Sequence, residues 1–330
     1  MEIRQMAELY ALYPEPQKGI RQDSPELMFL RHIAAGEYDR AAALFRDRKQ
    51  FTEALPVVDA PYGRFTGKEQ IRAFAEGFLS RFGAAGLAVL PMFQTRSGGR
   101  SVTEVVLNFT VDGMIDQVPM FAVGDLGSRG TLEEVRLYCH ASFVPGLTPY
   151  RRPLFPSAHL EMGDPGLMTG AVKEYYVALH HMPGVDVDRI VACMHPDCVF
   201  GGYGRYTGKA PEKGLEAMRR IYTNMASYIP SGVGMRYETL IDDGVTGVIE
   251  WVHVVTDKGR EELGRVAMSG IAAYMRGEDG RLISIRISDY AWMEKDIVWE
   301  KTGTTEEEAA KVNRVPEFPA GVGEKNQDIL

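Results

Sequence analysis

Apolar positions recur first in steps of three and four and then in steps of two, and the chain runs through this order twice. Leu27, Leu30 and Ala34, followed by Ala41, Leu44 and Phe45, mark two short amphipathic helices. Val172, Tyr175, Tyr176 and Leu179, followed by Val187, Ile190, Val191 and Met194, mark two more. A longer stripe of Ile71, Phe74, Ala75, Phe78, Leu79 and Phe82 predicts a third helix, matched later by Leu215, Met218, Tyr222 and Met225. A short apolar strand over 198–200 comes before the later stripe. Beyond each third helix the period falls to two and β-branched residues accumulate, in 101–111 against 246–256 and in 133–143 against 281–292. Gly98-Gly99, 127–130, Asp242-Asp243-Gly244 and 277–280 supply hairpin turns between such runs.

The duplication is also written in identities. Residues 62–68 read Tyr-Gly-Arg-Phe-Thr-Gly-Lys and residues 203–209 read Tyr-Gly-Arg-Tyr-Thr-Gly-Lys, six of seven positions identical at an offset of 141. The 330 residues suit two domains at roughly 150 residues each. The expected division is a first domain over 1–150, a second over 151–300, and a C-terminal tail over 301–330. The Pro- and Arg-rich stretch 145–156 reads as the linker, and Thr304 with Glu307 as the capping box of one short tail helix. In each copy three helices are expected to pack on one face of a curved antiparallel sheet. This is an α+β architecture whose bent sheet encloses a conical cavity.

At this level the chain resembles the nuclear transport factor two-like superfamily, and within it the SnoaL-like and ketosteroid-isomerase-like proteins. The resemblance rests on 175–179, on Val-Asp-Arg-Ile-Val-Ala-Cys-Met-His-Pro-Asp-Cys-Val-Phe at 187–200, on Tyr206-Thr-Gly-Lys209 and on Ile-Arg-Ile-Ser-Asp-Tyr at 285–290. It extends over about 25–145 and 168–295. It implies two tandem cone-shaped α+β barrels forming an internal pseudo-dimer, each with a pocket. The superfamily includes isomerases, dehydratases, cyclases, lyases and binders without catalysis, so the fold does not choose among them.

Composition narrows the partners. With 45 Asp and Glu against 37 Lys and Arg the net charge is −8, and no run of five or more basic residues occurs. This argues against nucleic acid and anionic membrane surfaces. No apolar run approaches the ~18 residues of a membrane span, and Arg4, Gln5 and Glu8 break any secretory signal, so a cytoplasmic location is expected. Three cysteines, Cys139, Cys193 and Cys198, make no disulfide framework. Cys193, His195 and Cys198 have ligand chemistry but lack a fourth partner, so no metal is expected; the glycines of the heptad lack dinucleotide spacing, so no cofactor is expected. A hydrophobic small molecule is the expected partner, with a second copy of the chain as a candidate for homo-oligomerisation.

Alternation places Ile249, Trp251, His253 and Val255 on one strand face, where His253 beside Trp251 suits a general acid or base; a core histidine bonded to backbone fits equally well. Asp289 follows Ile285 and Ile287 on its own face, and a carboxylate desolvated in an apolar cone gains basicity. The alternative is a strand-end carboxylate bonded to Arg286. The resemblance points to Asp289 too, since SnoaL-like enzymes often use a late-strand aspartate as base. Copy one has Leu107 and Phe109 at the places matching Trp251 and His253, and Cys139 at that of Asp289 with His140 beside it, so copy two is the expected catalytic half. Tyr203 is expected to act with Asp289 and His253, while Trp251, Tyr206, Arg286, Tyr290, His180 and Tyr176 are expected to contact substrate. Tyr62 and Phe65 are candidates for the corresponding pocket mouth in copy one.

These residues predict a cofactor-independent lyase or isomerase acting on a hydrophobic, aromatic or polycyclic molecule by dehydration, double-bond shift or aldol-type cyclisation or cleavage. The competing expectation is a small-molecule binding protein without catalysis, consistent with 16 methionines and 15 tyrosines as adaptable lining.

Overall fold

A computed structural model describes residues 16–47, 53–140, 143–147, 154, 165–179, 185–201, 212–228, 233–255 and 266–294, with side chains at 165, 227–228, 233–238, 253–255, 266–268 and 289–294 outside the description. The chain divides into two compact units that separate between Pro149 and Tyr150. The first holds helices α1 (Pro25–Ala34), α2 (Tyr38–Ala43) and α3 (Lys68–Arg81). Its strands are β1 (Val57–Ala60), β2 (Gly63–Thr66), β3 (Gly86–Ser97), β4 (Arg100–Val111), β5 (Met114–Leu126) and β6 (Leu132–Tyr138). The second holds α4 (Gly170–Leu179), α5 (Val187–Ala192) and α6 (Leu215–Tyr228), with β7 (Met194–Gly201), β8 (Glu212–Lys213), β9 (Val233–Asp242), β10 (Thr246–Val255), β11 (Val266–Arg276) and β12 (Leu282–Glu294). Each unit is therefore α+β, with three named helices and one six-stranded sheet.

The two sheets have the same order, β2-β1-β6-β5-β4-β3 and β8-β7-β12-β11-β10-β9. They differ from the expected all-antiparallel sheet at one ladder each, because β1 pairs parallel with β6 and β7 parallel with β12. The cause is connectivity. The first strand is laid down before the third helix, and the chain returns beside it only after a long crossover, which parallel pairing requires. Steps of two along β4 put Val105, Leu107 and Phe109 on the face that joins Leu27, Phe29, Phe74 and Phe78 of the helices in one apolar core. Phe29 stacks on Phe74 with centroids 6.2 Å apart, and Phe82 on Phe109 at 4.4 Å. Such aromatic contacts run through a core that is otherwise mainly aliphatic, and they add to plain area burial.

Identity of the heptads does not survive as identity of place. In the first unit Gly67, at φ 84°, leads straight into α3, and its N–H donates to Pro56 O at 2.8 Å. In the second unit this junction is made by Gly214, at φ 92°, whose N–H donates to Cys198 O at 2.9 Å. A left-handed backbone there explains why both are glycine. The ladders agree: Val57 faces Thr66, and Val199 faces Lys213. In the second unit it is therefore Gly214, outside the repeated heptad, that leads into the third helix. The segment 202–211, with Tyr203 and Tyr206, lies outside the described residues.

Candidate functional site

The ladders equate positions between the two sheets. The last hairpin of each begins alike, with Leu126 opposite Leu132 and Arg276 opposite Leu282, and each closing strand then skips one residue before regular pairing resumes. Leu126 N–H donates to Gly99 O and Arg276 N–H to Val245 O, which fixes β4 against β10. On this register Val105 corresponds to Trp251, Leu107 to His253, Gly124 to Tyr274 and Cys139 to Asp289. The matching helix starts, Ile71 N–H to Gly67 O and Met218 N–H to Gly214 O, equate Ala75 with Tyr222. In the first unit Ala75, Val105, Leu107 and Cys139 all belong to the apolar core. The second unit has a tyrosine, tryptophan, histidine and aspartate at the same places.

Trp251 is held by an absence. A Cβ built on Gly270, its cross-strand neighbour, would come 2.7 Å from Trp251 Cζ2 and 3.0 Å from Cε2, so the indole lies against bare backbone. Across Gly270 on the other side, β12 carries a bulge: Ile271 faces Ser288 and Ser269 faces Ala291, so Asp289 and Tyr290 together span one residue of β11. Bulges break alternation and re-aim side chains, and they gather beside binding and catalytic sites. Asp289 thus sits in the backbone irregularity next to the Trp251 shelf. His253 lies two residues beyond Trp251 on β10, opposite Met268. The side chains of Asp289, His253 and Tyr290 lie outside the description.

Tyrosine hydroxyls supply a further polar feature. Tyr175 on α4 and Tyr222 on α6 are buried with their hydroxyl oxygens 2.9 Å apart, and the Tyr175 ring packs 4.7 Å from that of Tyr274. Phe200 meets the Tyr222 ring edge-on at 6.1 Å. Tyr176 is fully buried in the same helix as Tyr175. Periodicity marks Tyr175 and Tyr222 only as core residues, and nothing in their spacing shows that two phenols from separate helices meet.

Arg286 is placed differently from Asp289's apolar neighbours. It shares its strand face with Ser284, whose Oγ accepts from Arg286 Nη1 at 2.7 Å, while Ile285 occupies the opposite face; all three are buried. The corresponding Arg136 of the first unit donates to Asp125, which also accepts from Arg100. Burial raises the Asp125 carboxyl, but these two guanidiniums outweigh it and hold it well below the usual carboxylate range. A buried arginine on this face is therefore common to both sheets.

Burial pushes the Cys193 thiol up to about 11 and the Cys198 thiol up to about 12, so both are protonated at neutral pH. His195 Nδ1 accepts from Asp197 N–H at 3.0 Å at the exposed start of β7. Among the described residues no group of three His, Cys, Asp or Glu side chains converges to hold a metal. Tyr62 is a core-edge residue, stacked on Phe74 at 5.9 Å with the Arg81 guanidinium 5.2 Å from its ring centroid. Burial and the adjacent Cys139 raise its phenol well above the ordinary range, against a smaller opposing effect of Arg81. Phe65 packs on Phe74 at 4.8 Å. His180, Tyr203 and Tyr206 lie outside the described residues.

With this geometry in hand, comparison with known proteins adds the family. Residues 172–285 match the SnoaL-like domain family, so the second unit contains a SnoaL-like domain. A protein of ketosteroid-isomerase-like fold from Catenulispora acidiphila, crystallised in complex with trimethylamine, is 16% identical over 37% of this chain and 89% of its own, with a TM-score of 0.31. An NTF2-like protein from Cytophaga hutchinsonii is 12% identical over 37% of this chain and 92% of its own, with a TM-score of 0.27. A candidate polyketide cyclase from Sinorhizobium meliloti is 13% identical over 34% and 92%, also with a TM-score of 0.27. No curated protein matches the chain significantly. Among the described residues no helix is long and apolar enough to cross a membrane.

Proposed function

We propose that the second unit is a cofactor-independent lyase or isomerase acting on a hydrophobic, aromatic or polycyclic small molecule. One observation carries the reading: at positions where the first unit has Ala75, Val105, Leu107 and Cys139 in its core, the second has Tyr222, Trp251, His253 and Asp289. At these four places, acid–base and aromatic side chains occur in the second unit only. In this reading Asp289 or His253 removes a proton from substrate, which lies against Trp251. The developing oxyanion is assigned to the Tyr175–Tyr222 hydroxyl pair rather than to Arg286, which is buried on the other strand face. A preorganised phenol donor in a water-poor site is suited to that charge. Dehydration, double-bond shift and aldol-type chemistry share this first step. Tyr203, Tyr206, Tyr290, His180 and Tyr176 are kept as candidate contacts.

The test is solvent deuterium exchange into the acidic C–H of a panel of aromatic and polycyclic ketones, followed by NMR with the full chain. Asp289→Asn and His253→Ala should each slow exchange by about 100-fold or more, with unchanged circular dichroism. Equal exchange by both variants and the wild type would remove Asp289 and His253 from the proton transfer, and ligands recovered with no exchange at all would leave a binding protein in place of an enzyme.

A further inference from the structure

The core of the first unit has one polar corner. Glu26, in the first turn of α1, is fully buried. Its Oε1 accepts from Ser101 Oγ at 2.7 Å, Thr103 Oγ1 at 2.7 Å and Gln94 Nε2 at 3.3 Å. Its Oε2 is buried and accepts no hydrogen bond, and among the described residues no lysine, arginine or histidine pairs with the carboxyl. Gly124 backs that oxygen closely: a Cβ there would stand 3.0 Å from Leu132 Cδ2, 3.2 Å from Glu26 Cβ and 3.6 Å from Oε2. Ser24, just ahead of α1, is buried as well, and its hydroxyl has no partner. At the places of Ser101, Thr103 and Gly124 the second unit carries Gly247, Ile249 and Tyr274, and a Cβ on Gly247 would strike Val172 at 2.6 Å. The nest therefore belongs to the first unit alone.

A carboxylate that stays ionised out of water needs either a counter-charge or donors to both oxygens. The start of α1 favours negative charge, yet that effect is small beside the desolvation of an ion. Here all three neutral donors converge on one oxygen. We propose that the nest is a binding site for a small ammonium-type cation, whose N–H groups donate to Glu26 Oε2 and to Ser24 Oγ. A multivalent metal is disfavoured because it would have a single carboxylate and neutral oxygens as ligands, short of the several hard oxygens that calcium takes. Gln94 links the nest to the exposed segment preceding α1, since its Oε1 accepts from Arg21 N–H at 3.2 Å and its own N–H donates to Gln17 Oε1 at 2.8 Å. This site is independent of the chemistry proposed for the second unit.

The experiment compares the thermal midpoint of the full chain in ammonium chloride, methylammonium chloride and potassium chloride at one ionic strength. A saturable rise of about 3 °C or more is expected with the ammonium salts and not with potassium. Glu26→Gln should abolish the rise. Ser24→Ala, the milder variant if Glu26→Gln does not fold, should shift its midpoint concentration upward by about tenfold. Identical midpoints in all three salts, or an equal rise in wild type and Glu26→Gln, would mean that the nest holds water only. An equal rise with potassium would overturn the ammonium class.

Discussion

Trp251 and Gly270 form a pair in which the smaller residue decides the position of the larger. Adding one methyl group in Gly270→Ala puts a carbon 2.7 Å from the indole, so ring or backbone must move. Overpacking of this kind costs about 1–3 kcal/mol, and urea unfolding followed by tryptophan fluorescence should show both the loss and a changed emission before unfolding. An unchanged midpoint and spectrum would mean that the indole is not confined by Gly270. Tyr222→Phe is gentler: removing one hydroxyl of the buried pair should cost about 1–2 kcal/mol and leave secondary structure intact. At this scale legibility was uneven. Trp251 declared itself through strand alternation, whereas the Tyr175–Tyr222 contact joins two helices, and helical spacing reports which residues share a face but not what they meet across a core. The face of Arg286 followed from alternation with Ile285, but its burial and its bond to Ser284 needed the folded chain.

Elements in the second unit are tied by a charge cluster that periodicity passes over. Arg276 at the end of β11 donates from Nη1 to Asp242 Oδ1 at 2.9 Å and from Nη2 to Oδ2 at 2.7 Å, and Nη2 also donates to Thr169 O at 2.7 Å. Asp242 at the end of β9 accepts from Thr169 N–H at 2.7 Å, pinning the start of α4 to the sheet. Burial raises the Asp242 carboxyl, but Arg276 and the N–H groups of Gly244 and Thr169 outweigh it and leave it below its ordinary 3.8. The unfolded chain therefore takes up this proton at a higher pH than the folded one. The stabilisation is complete well above pH 3.8 and is lost as pH falls through the lower folded value. Asp242→Asn strands a buried guanidinium and should cost about 3–5 kcal/mol at pH 7, a difference from wild type that narrows by pH 3. Urea midpoints at the two pH values check this, and a difference that stays constant would remove Asp242 from the acid response. The sequence marked Asp242 only as part of a turn, because the partner that makes it structural lies 34 residues away. The heptad misled for a related reason: Gly208 holds the place of Gly67 in the repeated seven residues, and only the ladder of β7 with β8 tells that Gly214 starts the helix.

The molecule as a whole is two sheets of one plan with differently furnished interiors. The plan was readable because duplication leaves identities, periodicities and turns in the same order. The parallel ladders were not, because pairing between the first and last strands of a unit leaves no local mark. That pairing has a consequence in time. β7 cannot gain its partner β12 until nearly the whole second repeat exists, and contacts so distant in sequence form late. During synthesis the nascent second sheet would leave the ribosome with an open edge, waiting for residues beyond 282, and unpaired edges invite association with other chains. A chain stopped at Arg281 should accordingly show little amide protection across β10 in hydrogen exchange while keeping it across β4; protection at both would mean that the second sheet holds without its closing strand. Chaperone demand would then fall in two pulses, one for each repeat, with the second ending only as the last strand clears the exit tunnel.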